Sequence, residues 1–499
     1  MNDSAANKVE LMTIYARKNE VTILESMYAS RKPEFLALYG RRRIGKTFLI
    51  KEFFKSKKGC FFFKVTGLKK GLMREQISNF MEQMGEVFYD GASLAIPNNW
   101  NEVFATLKQA IKSTEKNKQI VLFFDELPWM ATQNSRLLEA LEYQWNQHWS
   151  DDARIKLIVC GSSSSWIINK IIKDQGGFHN RVTRKIHLSP LTLKETKLFL
   201  HQSGIKLNNT QILSLYMVTG GVPYYLTHVE KGFSATQIIE NLAFRKNSFL
   251  LEEFDNLFAA LFKKSEEYIA ILELITKTHY GLSQRDLLNE IDKSMRGKRG
   301  LQILNDLEEA DFIISFKPHF NKKRGIYYKI IDEYTLFYFK WIQPIRNTLQ
   351  ERSLEEGNWQ ETQNSAQWNA WSGYAFEAVC YKHISQIRKC LHVPANAVAD
   401  SWRYVPMEKT SDDGAQIDLL FNRKDNSMTL CEIKYSQKPY TLSKEFSREL
   451  NHKADVLKKQ TGTEKQLFGA LISANGVKNN FYADELLSGI VTLDDLFAE

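Results

Sequence analysis

Residues Gly40 to Thr47 read GRRRIGKT, a fit to the spacing GxxxxGK[ST] between the apolar run FLALY and the helically patterned FLIKEFF. A loop of this type wraps phosphates with its backbone N–H groups where it closes onto a helix N-terminus. Gly40 and Gly45 permit the wrap, and Arg41, Arg42, Arg43 and Ile44 complete it. Lys46 is spaced to reach the β- and γ-phosphates, and the Thr47 hydroxyl to ligate Mg²⁺. A second run, QIVLFFDEL, ends abruptly in Asp125 and Glu126. Strand carboxyl ends are where open α/β sheets bind ligands. There Asp125 would hold Mg²⁺ through its waters, and Glu126 would orient or deprotonate an attacking water, since phosphoryl transfer chiefly needs positioning and charge neutralisation. Ser162, closing KLIVCGS, is a candidate contact for the γ-phosphate or that water, with an ordinary serine-rich loop as the other reading. Arg181 and Arg184, in HNRVTRKIHL, are candidates for an arginine that stabilises transition-state charge, in cis or from a neighbouring subunit; a surface ion pair is the competing role for each.

A different chemistry is spaced near the other end of the chain. AQIDLLFN and MTLCEIKYS are separated by the turn-rich RKDNS, which makes them an antiparallel pair. Alternation puts Leu430, Glu432 and Lys434 on one face of the second strand and Thr429, Cys431, Ile433 and Tyr435 on the other. Asp418 stands beside Glu432 and Lys434 if the register permits. Two carboxylates, Asp418 and Glu432, with the carbonyl of Ile433, are hard oxygen donors suited to Mg²⁺, with Mn²⁺ as a substitute. Lys434 could hold and activate a water, the arrangement that metal-dependent phosphodiester hydrolysis requires. Glu377, in the helical pattern WNAWSGYAFEAVCYKHIS, is a further ligand or an orienting acid. An isolated ExK is more often a cross-strand ion pair on a sheet surface; Asp418 and Glu377 shift the balance toward a site.

The elements that must position these residues can be read from pattern. FLALYG, GCFFFKV, QIVLFFDE and KLIVCGS are short apolar runs between amphipathic stretches, the signature of buried parallel strands with crossover helices; RKIHLSP is a further strand. From Leu191 to about Phe262 helical patterns take over and read as a small lid. Residues 265–331 hold three helices and two strands joined by KPHFNKKR, the pattern of a winged helix. Its phosphate-contact candidates are Arg296, Lys298 and Arg299 at the third helix and Lys322, Lys323 and Arg324 at the hairpin tip; a structural relay is the equal alternative. An aromatic connector, DEYTLFYFKW, precedes the last boundary, and Lys444, Arg448, Lys453, Lys458 and Lys459 line a helix that could track a DNA backbone. The expected domains are 1–190, 191–262, 263–345 and 346–499, in an α/β chain.

Composition agrees with this partition. The 499 residues suffice for roughly three domains. An apolar fraction of 43% with 25% charged residues excludes collagen-like, coiled-coil and disulfide-scaffold classes. A formal charge of +9 favours polyanionic partners. Five scattered cysteines without a CxxC pair point to a reducing compartment and no zinc site. With no secretory leader pattern and no apolar run of about 18 residues, the expectation is a cytoplasmic protein away from the membrane.

GRRRIGKT with LFFDELPWM, followed by VTGGVPYYL at 218–226, resembles the archaeal-type, AAA+-related ATPases of the wider signal-transduction NTPase class, over roughly residues 10–345. The resemblance implies a nucleotide-proximal lid motif at Gly220, Gly221 and Pro223. It also implies an N-terminal box at IYARKNEV, with Arg17 and Glu20 in place and Ala16 where glycine is usual. From about residue 365 the chain resembles the PD-(D/E)xK, restriction-endonuclease-like superfamily: Asp418, Glu432 and Lys434 match its core motif and Glu377 its first-helix acid, although GAQID lacks the proline. Together these imply an ATPase whose Mg²⁺-dependent nuclease domain cuts DNA under nucleotide control, possible as a homo-oligomer. The alternative is a nucleotide switch that binds nucleic acid or protein without cutting.

Overall fold

A computed structural model describes residues 14, 16–278, 281–316, 325–352, 357–404, 406 and 414–498. The chain divides into two compact units, Met1–Pro190 and Leu191–Glu499.

The first unit is built on strands β1 (Glu34–Tyr39), β2 (Cys60–Thr66), β3 (Gln119–Asp125), β4 (Ile155–Gly161) and β5 (Arg184–His187), in the order β2-β3-β4-β1-β5. Every pairing is parallel. Helices lie on both faces, so successive residues of one strand enter different cores. Ile120, Leu122 and Phe124 pack with Phe80, Phe104, Trp100 and Trp149, while Val121 and Phe123 pack with Leu49, Ile50 and Phe53. This is why these strands are apolar throughout rather than alternating. The carboxyl ends of β1, β3 and β4 lead into residues 40–47, 125–126 and 162, which brings the sequence-separated candidates to one edge of the sheet.

In the second unit, helices from Leu193 to Leu261 precede a small three-stranded sheet of β6 (Leu282–Ser283), β7 (Ile313–Phe316) and β8 (Tyr327–Ile330), ordered β6-β8-β7. With helices Ser265–Thr276, Gln284–Glu290 and Lys298–Glu309 they form the three-helix, hairpin-bearing pattern. The short strand β6 was not legible in the sequence. Beyond the connector, helix Ala366–Lys382 leads to a mixed sheet of β9 (Val398–Tyr404), β10 (Ala415–Asn422), β11 (Ser427–Lys434), β12 (Gln466–Ser473) and β13 (Leu487–Thr492). Its order is β13-β12-β11-β10-β9, antiparallel across β9, β10 and β11 and parallel from β11 to β13. Helix Lys444–Thr461 is the crossover from β11 to β12, and its Leu457 packs with Ile417, Met428 and Leu430.

Two internal clasps tie the helical part of this unit together. His383 accepts a hydrogen bond at Nε2 from the Leu193 backbone N–H (2.9 Å) and bonds the Val379 carbonyl through Nδ1 (2.8 Å). Glu333, fully buried, pairs with Lys382. Gly220 lies against that pair: a β-carbon there would stand 2.8 Å from Glu333 Oε2, at a backbone φ of +62°.

Candidate functional sites

At the first site the loop after β1 closes onto helix Lys46–Lys55. Gly40, with φ +139°, leaves no room for a side chain, since a β-carbon would meet the Leu188 carbonyl at 2.2 Å. Gly45 and Arg43 are left-handed, at φ 88° and 76°. The resulting curl turns the carbonyls of Gly40 and Arg41 toward Lys46 Nζ, which donates to both at 2.8 Å. Lys46 is buried, and burial holds its pKa below that of a free lysine. Ile44 and Arg41 are buried in the loop, and the Arg42 guanidinium lies 5.8 Å from the Trp129 ring centroid. Arg17 donates to the Ile44 carbonyl at 3.3 Å.

Thr47 Oγ1 donates to Asp125 Oδ2 at 2.8 Å, so the hydroxyl and the carboxylate expected to share a cation are already adjacent. Asp125 is 2% exposed and its Oδ1 is buried without a hydrogen-bond partner. Such an orphaned anionic oxygen fits a hard divalent cation. Two neighbours had not been singled out from sequence: Lys64 Nζ lies 3.6 Å and Thr66 Oγ1 3.5 Å from Asp125 Oδ2. Lys64 is the one charged residue in the apolar strand FFFKV, and that was the available signal. Glu126 sits in a left-handed conformation, φ 49°, and its Oε2 accepts from the backbone N–H of Ser162 (3.0 Å) and from its hydroxyl (2.9 Å). Ser162 therefore orients the acid rather than standing apart from it.

Arg181 and Arg184 are not brought to this site. Arg184 opens β5 beside Leu36, and its guanidinium makes a two-bond pair with Glu34, Nη2 to Oε1 at 3.1 Å and Nε to Oε2 at 3.2 Å. The pair marks the amino end of β1, whereas the phosphate loop leaves its carboxyl end, about 16 Å away at 3.3 Å per residue. Arg181 lies exposed in the turn before β5, at that same amino end. An in-cis role for either is thereby corrected. Gly220, Gly221 and Pro223 belong to the second unit, where Pro223 begins helix Pro223–Leu226.

The second site lies on β10 and β11. Leu419 pairs with Cys431, so the next step sets Asp418 level with Glu432. The β10–β9 register shifts between Ile417 and Leu420, a bulge that re-aims Asp418. Asp418 Oδ2 accepts from the Ile433 N–H at 2.9 Å. Glu432 is 2% exposed; its Oε2 receives Lys453 Nζ at 2.7 Å and lies 3.7 Å from Lys434 Nζ, while Oε1 is buried without a hydrogen-bond partner. Burial, then the neighbouring Asp418, raises the Glu432 pKa to about 7. Each carboxylate is thus fixed through one oxygen, which leaves on Glu432 a buried, unpartnered oxygen that suits a divalent cation.

Lys453 is the residue that sequence reasoning misplaced. The sequence sets it in the basic row that could track a DNA backbone, yet it turns in to Glu432, and Glu449 also reaches it at 2.9 Å. Lys444, Arg448, Lys458 and Lys459 remain exposed on that helix. Glu377 comes near but is occupied: it pairs with Lys329 of β8, and burial raises its pKa. Among the described residues no group of three His, Cys, Asp or Glu side chains is arranged to hold a metal, and Glu377 is committed to Lys329 in this arrangement. In the small sheet domain Arg296 is spent on the carbonyls of Ile291 and Asn289, and Arg299 on Glu267, while Lys298 is exposed. Lys322, Lys323 and Arg324 lie outside the described residues. No described helix is long and apolar enough to cross a membrane.

Residues 14–229 match the family described as an ATPase domain predominantly from Archaea, and residues 338–450 a family of archaeal and bacterial proteins of unknown function. An uncharacterized protein of Methanocaldococcus jannaschii is 25% identical over 447 residues, covering 88% of this chain and 92% of that one. An uncharacterized ATP-binding protein of the same organism is 50% identical over 42 residues, 8% of this chain and 71% of that one. Among solved structures, a Walker-type ATPase of Pyrococcus abyssi aligns with 17% identity and a TM-score of 0.43, covering 65% of this chain and 95% of that one. The phosphate loop, Thr47 and Asp125, assembled at one sheet edge, all lie inside the segment that matches the archaeal ATPase-domain family.

Proposed function

We propose that the chain hydrolyses ATP in its first unit and that the C-terminal mixed sheet is a divalent-cation-dependent nuclease that cuts DNA phosphodiesters under nucleotide control. The observation that carries the second half is the pairing of Asp418 with a buried Glu432 whose Oε1 has no partner, flanked by two lysines. A binding surface needs no such buried, half-committed carboxylate, which costs free energy unless it is used.

At both sites a bound divalent cation supplies neutralisation of the charge that grows on phosphate oxygens. Thr47 and Asp125 would hold it in the first unit, Asp418 and Glu432 in the second. Lys46 would exchange its two loop carbonyls for phosphate oxygens, and the loop N–H groups would fix the chain of phosphates. Glu126, held by Ser162 through Oε2, offers Oε1 to orient the attacking water. At the second site Lys453 holds Glu432, and the more exposed Lys434 is the ammonium able to meet an attacking water or a phosphate. The surface lysines of helix Lys444–Thr461 favour a polyanionic substrate.

A second reading, a nucleotide switch that binds nucleic acid or protein without cutting, is favoured by the occupation of Glu377 by Lys329. One experiment separates the two. Linear and supercoiled DNA are incubated with wild type, Lys46→Ala and Lys434→Ala, with Mg²⁺ or Mn²⁺, with and without ATP. Cutting that disappears in Lys434→Ala supports the nuclease, and its response to Lys46→Ala reports the nucleotide gate. Binding without cutting under every condition supports the switch.

A further inference from the structure

Glu377 belongs to the helix packed behind the Asp418–Glu432 pair, but its partner comes from elsewhere in the second unit. Lys329 projects from β8 of the small hairpin sheet and pairs with Glu377, the lysine 15% and the acid 12% exposed. The Lys329 ammonium also lies 4.9 Å from the Tyr381 ring centroid, and the Tyr381 hydroxyl donates to the Asp418 carbonyl at 2.5 Å. One cation on the hairpin thus touches a helix acid and the aromatic ring that buttresses the strand carrying Asp418. Beside it a half-open cavity of about 370 Å³ is lined by Phe316 and Ile326 of the hairpin region and by Tyr381, Ala399 and Ser401. The Lys329–Glu377 pair is thus a polar tie between the hairpin sheet and the helix behind the Asp418–Glu432 pair.

We propose that Lys329 is a positioning residue of the second site, an internal cation that holds Glu377 away from the carboxylate pair, so that the hairpin sheet determines whether a divalent cation meets two acids or three. This rests on the reading of Asp418 and Glu432 as a cation site. The physical basis is charge exchange. An ammonium already neutralises Glu377, so a cation at the pair gains nothing from that acid while Lys329 is in place. Withdrawing Lys329 removes one positive charge and frees one carboxylate in the same step. Motion of the hairpin sheet would then be read at the site as a change in cation affinity.

The test is Mn²⁺ titration of nucleotide-free protein, followed by the electron paramagnetic resonance of free Mn²⁺. All proteins carry Asp125→Asn, so that the first unit contributes no cation site. Removing one unit charge a few ångströms from a divalent cation changes its affinity by about tenfold or more even at the dielectric of water. Lys329→Met is therefore expected to bind Mn²⁺ about tenfold or more tightly than the parent, Lys329→Arg within about twofold of it, and Lys329→Met with Glu377→Gln to return to the parent value. Lys329→Gln repeats the charge loss with a polar side chain, should the methionine variant not fold. Parent and Lys329→Met or Lys329→Gln binding Mn²⁺ equally overturns the proposal while leaving the cation site standing. A gain that survives Glu377→Gln overturns it as well. Mn²⁺ binding by no variant removes the cation-site reading itself, and the proposal with it.

Discussion

His383 supplies a prediction whose size follows from its surroundings. The imidazole is enclosed between helix Ala366–Lys382 and the start of helix Leu193–Gln202, with the Tyr216 ring 5.8 Å away. Because Nε2 accepts from the Leu193 N–H, it carries no proton, so the ring is neutral and Nδ1 donates to the Val379 carbonyl. Burial, with a smaller push from Lys382, lowers its pKa to about 4 from an ordinary 6.5, while the Val379 bond acts in the opposite direction. The unfolded chain protonates near pH 6.5 and the folded one not until about pH 4. The contribution of His383 to stability is therefore intact above pH 6.5 and lost as pH falls from 6.5 toward 4. A difference of about 2.5 pKa units corresponds to about 3 kcal/mol when the loss is complete, and to about 2 kcal/mol at pH 5. The perturbation is acidification of wild type beside His383→Gln, which removes the titration. Calorimetric unfolding at pH 7 and pH 5 should show wild type losing about 2 kcal/mol more than the variant across that interval. The two proteins losing stability in parallel, or an NMR titration placing the His383 ring near 6.5, would refute the reasoning.

Other consequences are direct. Lys46→Ala should abolish phosphate release and weaken nucleotide binding at least about 100-fold, read by fluorescent-nucleotide titration, because the Lys46 ammonium is the cation that the loop carbonyls of Gly40 and Arg41 hold in place. Glu126→Gln should retain nucleotide binding and lose hydrolysis by about 100-fold or more in a phosphate-release assay; equal turnover would remove Glu126 from the mechanism. Lys453→Ala leaves Glu432 buried without its nearest cation, a class of change that costs about 3–5 kcal/mol, and should lower the calorimetric unfolding temperature far more than Lys458→Ala on the exposed face. Arg184→Ala should leave nucleotide binding by the chain unchanged, since the Arg184–Glu34 pair lies at the far end of β1; a large loss of affinity would show that this end of the sheet communicates with the loop.

The two sites differ in how readily they were read from sequence. The phosphate loop is a local device: two glycines, a lysine and a threonine within eight residues carry their own geometry, and the apolar strand before them and the helix after them fix its setting. The acidic end of β3 is likewise local, because an apolar run that stops at two adjacent acids marks the end of its strand in the sequence itself. The face shared by Glu432 and Lys434 follows from the period of a strand alone. What pairing adds is not periodic. The bulge at Asp418, the strands β9, β12 and β13, and the two-residue β6 depend on partners far away in the chain, and short half-buried strands leave only a weak pattern.

Charge partners were the least legible feature. Lys453 and Lys458 look alike in the sequence, both lysines in a polar helix, yet one turns onto a buried carboxylate and the other faces solvent, because helix rotation is set by Leu450, Val456 and Leu457 seeking the core. Arg184 was as good a candidate as any arginine for the phosphate until the sheet order placed it at the opposite end of β1. By itself the sequence determined the nucleotide loop, the strand-borne acids and the order of the parts, since these rest on spacing within a single element. Only the tertiary structure decided which cations answer those acids, Lys64 for Asp125, Lys453 for Glu432 and Lys329 for Glu377, because a long side chain chooses its partner by the packing of elements that are not neighbours in the chain.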